Sequence, residues 1–148
     1  MTKQIFLNLP VKDLNKTVDF WTKLGYTFNP QFTSENATCM ILGENIFAML
    51  LVEKFFKTFI PNHEIADASK TKEVLIAIDT ESRDAVNALV DKAVKAGATE
   101  HGEAEDHGWM YARAFLDLDG HGWNIMYADA SLLQGQNAAE VSNHAQQA

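Results

Sequence analysis

One pattern of hydrophobic and polar residues is written twice along this chain, and that duplication constrains the fold more than any other feature. From Gln4 to Val11 the residues alternate, with Ile5, Leu7, Leu9 and Val11 on one face, which predicts a strand. Asp13 follows as a helix N-cap, Leu14, Val18, Trp21 and Leu24 recur at helical spacing, and Gly25 stops the helix. Thr38–Leu42 and Ile46–Val52 then read as strands joined by the turn Gly43-Glu44-Asn45. The second half repeats the order. Val74, Ile76 and Ile78 form the apolar face of a strand ending at Asp79, and Thr80 or Ser82 caps a helix with Val86, Leu89, Val90 and Ala93 inward. Gly97 stops that helix; Trp109–Leu116 and Trp123–Tyr127 are strands around the turn Asp117-Leu118-Asp119-Gly120. A further short strand is weakly signalled in each half, around 27–32 and 99–101. Two like modules are therefore expected, about 4–52 and 73–128, within a single domain spanning 1–130.

The linking segments are less regular. Residues 53–72 carry Phe55, Phe56, Phe59 and Ile60 ahead of Pro61, which predicts a short amphipathic helix and then a polar connection. Its phenylalanines read as core or lid, with a partner-binding stripe as the alternative. Residues 131–148 are rich in Gln, Asn and Ala and read as a polar tail or terminal helix. With 47% apolar residues, the 148-residue chain has enough material for a sizeable core. Twenty acidic residues against 12 basic ones give a net charge of −8, with no basic run. Nucleic-acid and membrane-surface partners are thereby excluded, since both need a concentrated positive face. The single cysteine, Cys39, and the lack of a signal-peptide core or a bilayer-length apolar stretch point to the cytoplasm.

Several of these residues form a recognisable set. The first strand with Pro10-Val11-Lys12-Asp13-Leu14, Phe20-Trp21 in the helix, then Leu24-Gly25-Tyr26, resembles the vicinal oxygen chelate superfamily. So does Phe115-Leu116-Asp117-Leu118-Asp119-Gly120-His121-Gly122-Trp123. That superfamily includes glyoxalase I, extradiol dioxygenases, fosfomycin-modifying enzymes and bleomycin-resistance proteins. The resemblance covers about 4–128 and implies an α+β fold. In that fold two paired βαβββ modules form a curled mixed sheet enclosing a cup, with helices outside. It also implies a homodimer.

Within such a fold, alternation assigns side chains to the cup. The purely apolar face of each strand goes to the helices and the other to a ligand. Phe6 and Asn8 then point inward, as do Glu73, Leu75 and Ala77, Asn124 and Met126, and Phe47 and Met49. In the strand after His107, the face made by Trp109, Tyr111, Arg113 and Phe115 is assigned to the cup, because a helix interface tolerates an arginine poorly. The result is an aromatic, sulfur-rich pocket with a few polar groups, suited to a small, partly apolar molecule.

The resemblance also implies where metal ligands stand in metal-using members: near Phe6, Phe47, Glu73 and Asn124. Phenylalanine cannot coordinate, an amide oxygen is a weak donor, and one carboxylate is too few. His121 reads as a turn residue, His101 and His107 as part of a solvated acidic loop, His63 and His144 as exposed, and Cys39 as a small core residue. Glu73 is the candidate general base, since enclosure in an apolar cup would favour its protonated form; an ion pair with Arg113 or a rim carboxylate is the bland alternative. Arg113 is the candidate anchor for an anionic ligand, beside Tyr111, with that pair or a sheet-edge salt bridge as its alternative. The sequence is thus read as a cytoplasmic small-molecule-binding protein without a cofactor, taking a partly apolar or anionic ligand. The rival readings are a metal-dependent lyase of the lactoylglutathione type, a dioxygenase with unorthodox ligands, and a metal-free isomerase based on Glu73.

Overall fold

The computed structural model describes residues 1–129 and Ser131; the expected tail and His144 lie outside the described residues. The two halves build the same sheet. In the first, β1 (Ile5–Val11), β2 (Thr27–Asn29), β3 (Ala37–Gly43) and β4 (Ile46–Val52) align in the order β1-β4-β3-β2, with β1 and β4 parallel. In the second, β5 (Leu75–Asp79), β6 (Thr99–Glu100), β8 (Met110–Leu116) and β9 (Gly122–Ala128) align as β5-β9-β8-β6, with β5 and β9 parallel. The short β7 (Glu105–Asp106) also pairs with β8. The sheets are not hydrogen-bonded to each other, so β1 and β5 are edge strands flanking a seam.

The helices form where their signals stand. The Asp13 carboxylate accepts from the Lys16 amide at 3.0 Å and starts α1 (Leu14–Lys23); Gly25, at φ +100, ends it in a conformation that costs a residue with a Cβ. Ser82 Oγ accepts from the Ala85 amide at 3.0 Å and starts α3 (Arg83–Lys95). The connection opens with α2 (Glu53–Lys57), packed against β1 and β4. Among the described residues no helix is long and apolar enough to cross a membrane.

Both modules share one core. Phe20 and Trp21 leave α1 to meet the second sheet, with Trp21 4.7 Å from Trp123 and Phe20 6.2 Å from Phe115, ring centre to ring centre. Those four rings are fully buried together with Leu50 and Met40 from the first sheet and Val86 and Val90 from α3. Large rings packed edge-on gain dispersion and quadrupole attraction beyond the area they remove from water.

A polar clamp fixes the same junction. In the turn between β8 and β9, Asp117 Oδ1 accepts from the amides of Asp119 and His121, and Asp117 Oδ2 from Trp123 Nε1 at 2.9 Å. The turn thus shaped reaches the first module: Asp119 accepts from the Lys12 amide at 2.8 Å and from the Thr17 hydroxyl, and His121 Nε2 lies 2.7 Å from the Pro10 carbonyl oxygen. Lys72 Nζ donates to the carbonyls of Ala68 and Gly120, tying in the connection. Gly120 stands at φ +86, where a Cβ would come within 2.9 Å of the Ser69 amide nitrogen. His121 is therefore more than a turn residue: it is part of the junction.

Two outcomes are expected. Gly120→Ala should destabilise the chain by about 2 kcal/mol or more, from the positive φ and the backbone contact together. Tryptophan fluorescence and far-ultraviolet circular dichroism should still lose signal at one common urea midpoint. Separate midpoints would contradict the shared core. Burial pushes the Asp117 carboxyl above the usual carboxylate range, against the opposing pull of His121 and its hydrogen bonds. A group whose pKa is raised on folding contributes stability on the acid side and loses it as pH rises through the folded value. The stability difference between the native chain and Asp117→Asn should therefore shrink with rising pH just above the ordinary carboxylate range. Urea midpoints measured across that window would show it; a difference that grows with pH would refute it.

Candidate functional site

The strand register assigns each expected site residue to a face. Phe6 stands opposite Phe47, and Asn8 opposite Met49, on the face of the first sheet away from the shared core. Phe6 and Phe47 stack with centroids 4.9 Å apart and planes 18° from parallel, and Phe6 remains 46% exposed. Asn8 is exposed and its amide donates to the Phe6 carbonyl. In the second sheet Asn124 and Met126 are half-buried on the corresponding face, opposite Ala77 and Asp79 of β5.

The assignment of β8 is corrected. Phe115 pairs with Trp123, Arg113 with Ile125 and Tyr111 with Tyr127, so this row faces the helix layer while Met110, Ala112, Ala114 and Leu116 take the open side. Phe115 is wholly buried in the core. Arg113 is accepted there because it lies at the margin of α3 among acceptors: its guanidinium donates to Asn87 at 3.0 Å, to Asp91 at 3.1 Å and to both oxygens of Glu100. Tyr111 donates to the same Asn87 oxygen at 2.8 Å, and Arg83 lies 4.8 Å over its ring. Trp109 precedes β8, half-buried, its carbonyl accepting from the Asp129 amide. The Arg113–Glu73 pair is not formed; Arg113 is committed to α3 and β6. The acidic loop is likewise tied down, since Asp106 binds Arg83 through both oxygens.

Two cavities open at the seam between β1 and β5. The larger, 650 Å³, is walled by Leu7, Leu42, Ile46, Ile76 and Ile78, with Asn8, Tyr26, Asp79 and Met126 also lining it. Burial first, and the Asp79 charge second, hold the Tyr26 phenol above its usual range, so it presents a neutral hydroxyl. The smaller, 420 Å³, lies between the connection and the edge strands, lined by Phe56, Ile60, His63, Lys72, Glu73 and His121 among others, Asn8 included. The seam thus joins Asn8 to Met126 on one side and to Glu73 on the other, but it leaves out Phe6, Phe47, Trp109, Tyr111, Arg113 and Asn124. Glu73 stands in a bend before β5 and is exposed, so the apolar enclosure required of a base is missing. Tyr26 and Asp79 were legible only as markers, one after a helix stop and the other at a strand end; their cavity exists only because two edge strands meet.

The positions at which the resemblance implies metal ligands do not fit a metal. Two hold the stacked rings of Phe6 and Phe47, a third the amide Asn124, and the fourth the exposed Glu73. Among the described residues no group of three or more His, Cys, Asp or Glu side chains could hold a metal ion. Cys39 is buried, and burial raises its thiol, as for a core residue.

Residues 3–43 match the family described as bleomycin resistance protein-like N-terminal. Comparison with curated proteins returns no match. Solved structures share the fold. A hypothetical protein of S. aureus is 26% identical, at a TM-score of 0.73, with 86% of this chain and 95% of that one covered. A glyoxalase/bleomycin resistance protein/dioxygenase family enzyme of Burkholderia phytofirmans PsJN is 18% identical, at 0.67, with 84% and 97% covered. The fosfomycin resistance protein FosX of Listeria monocytogenes is 15% identical, at 0.64, with 88% and 97% covered.

The committed state of Arg113 has a measurable consequence. Arg113→Ala should lower stability by about 1 kcal/mol, since its acidic partners are partly solvated, and should loosen β6. Amide hydrogen exchange at Glu100 and His101 would report it; unchanged protection there would refute the assignment.

Proposed function

We propose that this chain, which has the fold of the vicinal oxygen chelate superfamily, is a small-molecule-binding protein that works without the metal site of its metal-using members. The observation that carries the reading is the 650 Å³ seam cavity, of a size that encloses a compact organic molecule. Its wall is mostly aliphatic, and Asn8, Tyr26 and Asp79 are the polar groups available to orient a ligand. A partly apolar ligand suits this lining. An anionic one finds no arginine there, because Arg113 is held at α3. The stacked Phe6–Phe47 pair at two expected ligand positions supports metal-independent binding.

A cytoplasmic homodimer belongs to the same reading. The exposed rings of Phe6, Phe32 and Phe59 give a second copy apolar surface to cover.

Tag-free protein should contain far less than one equivalent of metal by elemental mass spectrometry, before and after soaking with nickel, iron, manganese and zinc. It should also bind the neutral probe N-phenyl-1-naphthylamine with unchanged affinity in a chelator. Ala77→Trp, which fills the cavity from an exposed strand position, should weaken that binding by about tenfold, the equivalent of about 1.4 kcal/mol. Stoichiometric metal lost on Glu73→Ala would overturn the metal-independent reading, and probe binding indifferent to Ala77→Trp would overturn the seam as the site.

A further inference from the structure

The charge at the seam is more specific than its shape. Among the described residues that line the larger cavity, Asp79 alone carries a formal charge, with no lysine, arginine or histidine beside it. Asp79 is exposed at the end of β5, and among the described residues its carboxylate has no hydrogen bond or ion pair. The other carboxylates around the fold's clamps behave differently: Asp106 is held by Arg83, Asp91 and Glu100 by Arg113, and Asp119 by an amide and a hydroxyl. The neighbouring smaller cavity mixes signs, with Lys72, Glu64 and Glu73. An unneutralised carboxylate at the mouth of an aliphatic cavity repels anions and gives a neutral ligand no ionic partner. It attracts a cation, and the net charge of −8 acts in the same sense at longer range. Tyr26, which lines the same cavity near enough for the Asp79 charge to act on its phenol, adds a hydroxyl oxygen that can accept from an ammonium group.

We propose that the seam cavity takes a hydrophobic amine, its apolar body among Leu42, Ile46, Ile76 and Ile78 and its ammonium group at Asp79 and Tyr26. This rests on the seam being the ligand site and adds the charge of what enters it. The cation gains from a carboxylate already placed at the cavity mouth, while the desolvation of its hydrocarbon portion supplies the non-specific part of the affinity.

Three probes with one apolar body separate the two claims: phenylbutylamine, phenylbutanol and phenylbutyrate, titrated into the full chain by calorimetry and followed by methyl resonances of Leu42, Ile46 and Ile78. The amine should bind tightest, by about fivefold over the alcohol at low salt, and the carboxylate weakest. Asp79→Asn should bring the amine down to the level of the alcohol, and added salt should do the same in the unaltered chain, which keeps the test independent of how the variant folds. An alcohol that shifts these methyls and binds as well as the amine, or a carboxylate that binds best, would overturn the ammonium assignment and leave the seam as the site. Methyls unmoved by all three probes would overturn both.

Discussion

The structure depends on how the turn between β8 and β9 is docked onto the start of α1. Asp117 is half-buried, and its two oxygens meet two backbone amides and an indole N–H. Desolvating a carboxylate costs several kcal/mol unless such donors replace water. Here they do, and the same bonds fix the turn in the one shape that lets Asp119 and His121 reach Lys12, Thr17 and Pro10. Trp123 is held at its nitrogen by Asp117 and at its ring by Trp21, so polar clamp and aromatic core are joined at one side chain. The positions of β1 and β5, and hence the seam, follow from this junction.

Much of the fold was legible because it rests on local rules. Asp13 and Ser82 cap where short polar side chains precede an amphipathic run, and Gly25 stops a helix where only a residue without a Cβ is unstrained. The alternation in β1 assigned Phe6 and Asn8 to the open face, because Leu9 and Val11 are unmistakably core. In β8 the same rule failed. Both faces there contain apolar residues, and an arginine avoids the middle of a helix interface but not the border of the helix layer. At that border Asn87, Asp91 and Glu100 present acceptors, and the aliphatic stem of Arg113 can lie over α3 while its head is paired. Phe115, at the other end of the same row, is the residue that settles the parity, since no other side chain of that strand is as deeply buried.

The candidate site was less legible than the fold for a related reason. Alternation says which face a side chain takes, but it cannot say which edge strands of separate sheets come together. Asn8 and Met126 were singled out by face, whereas Tyr26 and Asp79 lie at element ends, where period carries no information. The stacked rings of Phe6 and Phe47 required the register of β1 against β4, although each residue could be placed on its face without it.

The shared aromatic core bears on what the duplication can no longer do. Two repeats that each buried their own apolar face could be separated, shuffled or lost singly. Here Phe20 and Trp21 of the first repeat are covered by Phe115 and Trp123 of the second. A chain divided at residues 53–74 would part Trp21 from Trp123 and Phe20 from Phe115, and each fragment would lose the rings that its own pack against. The halves keep the outline of independent units while having become obligate complements, so change in either one is answerable to the ring that fits against it.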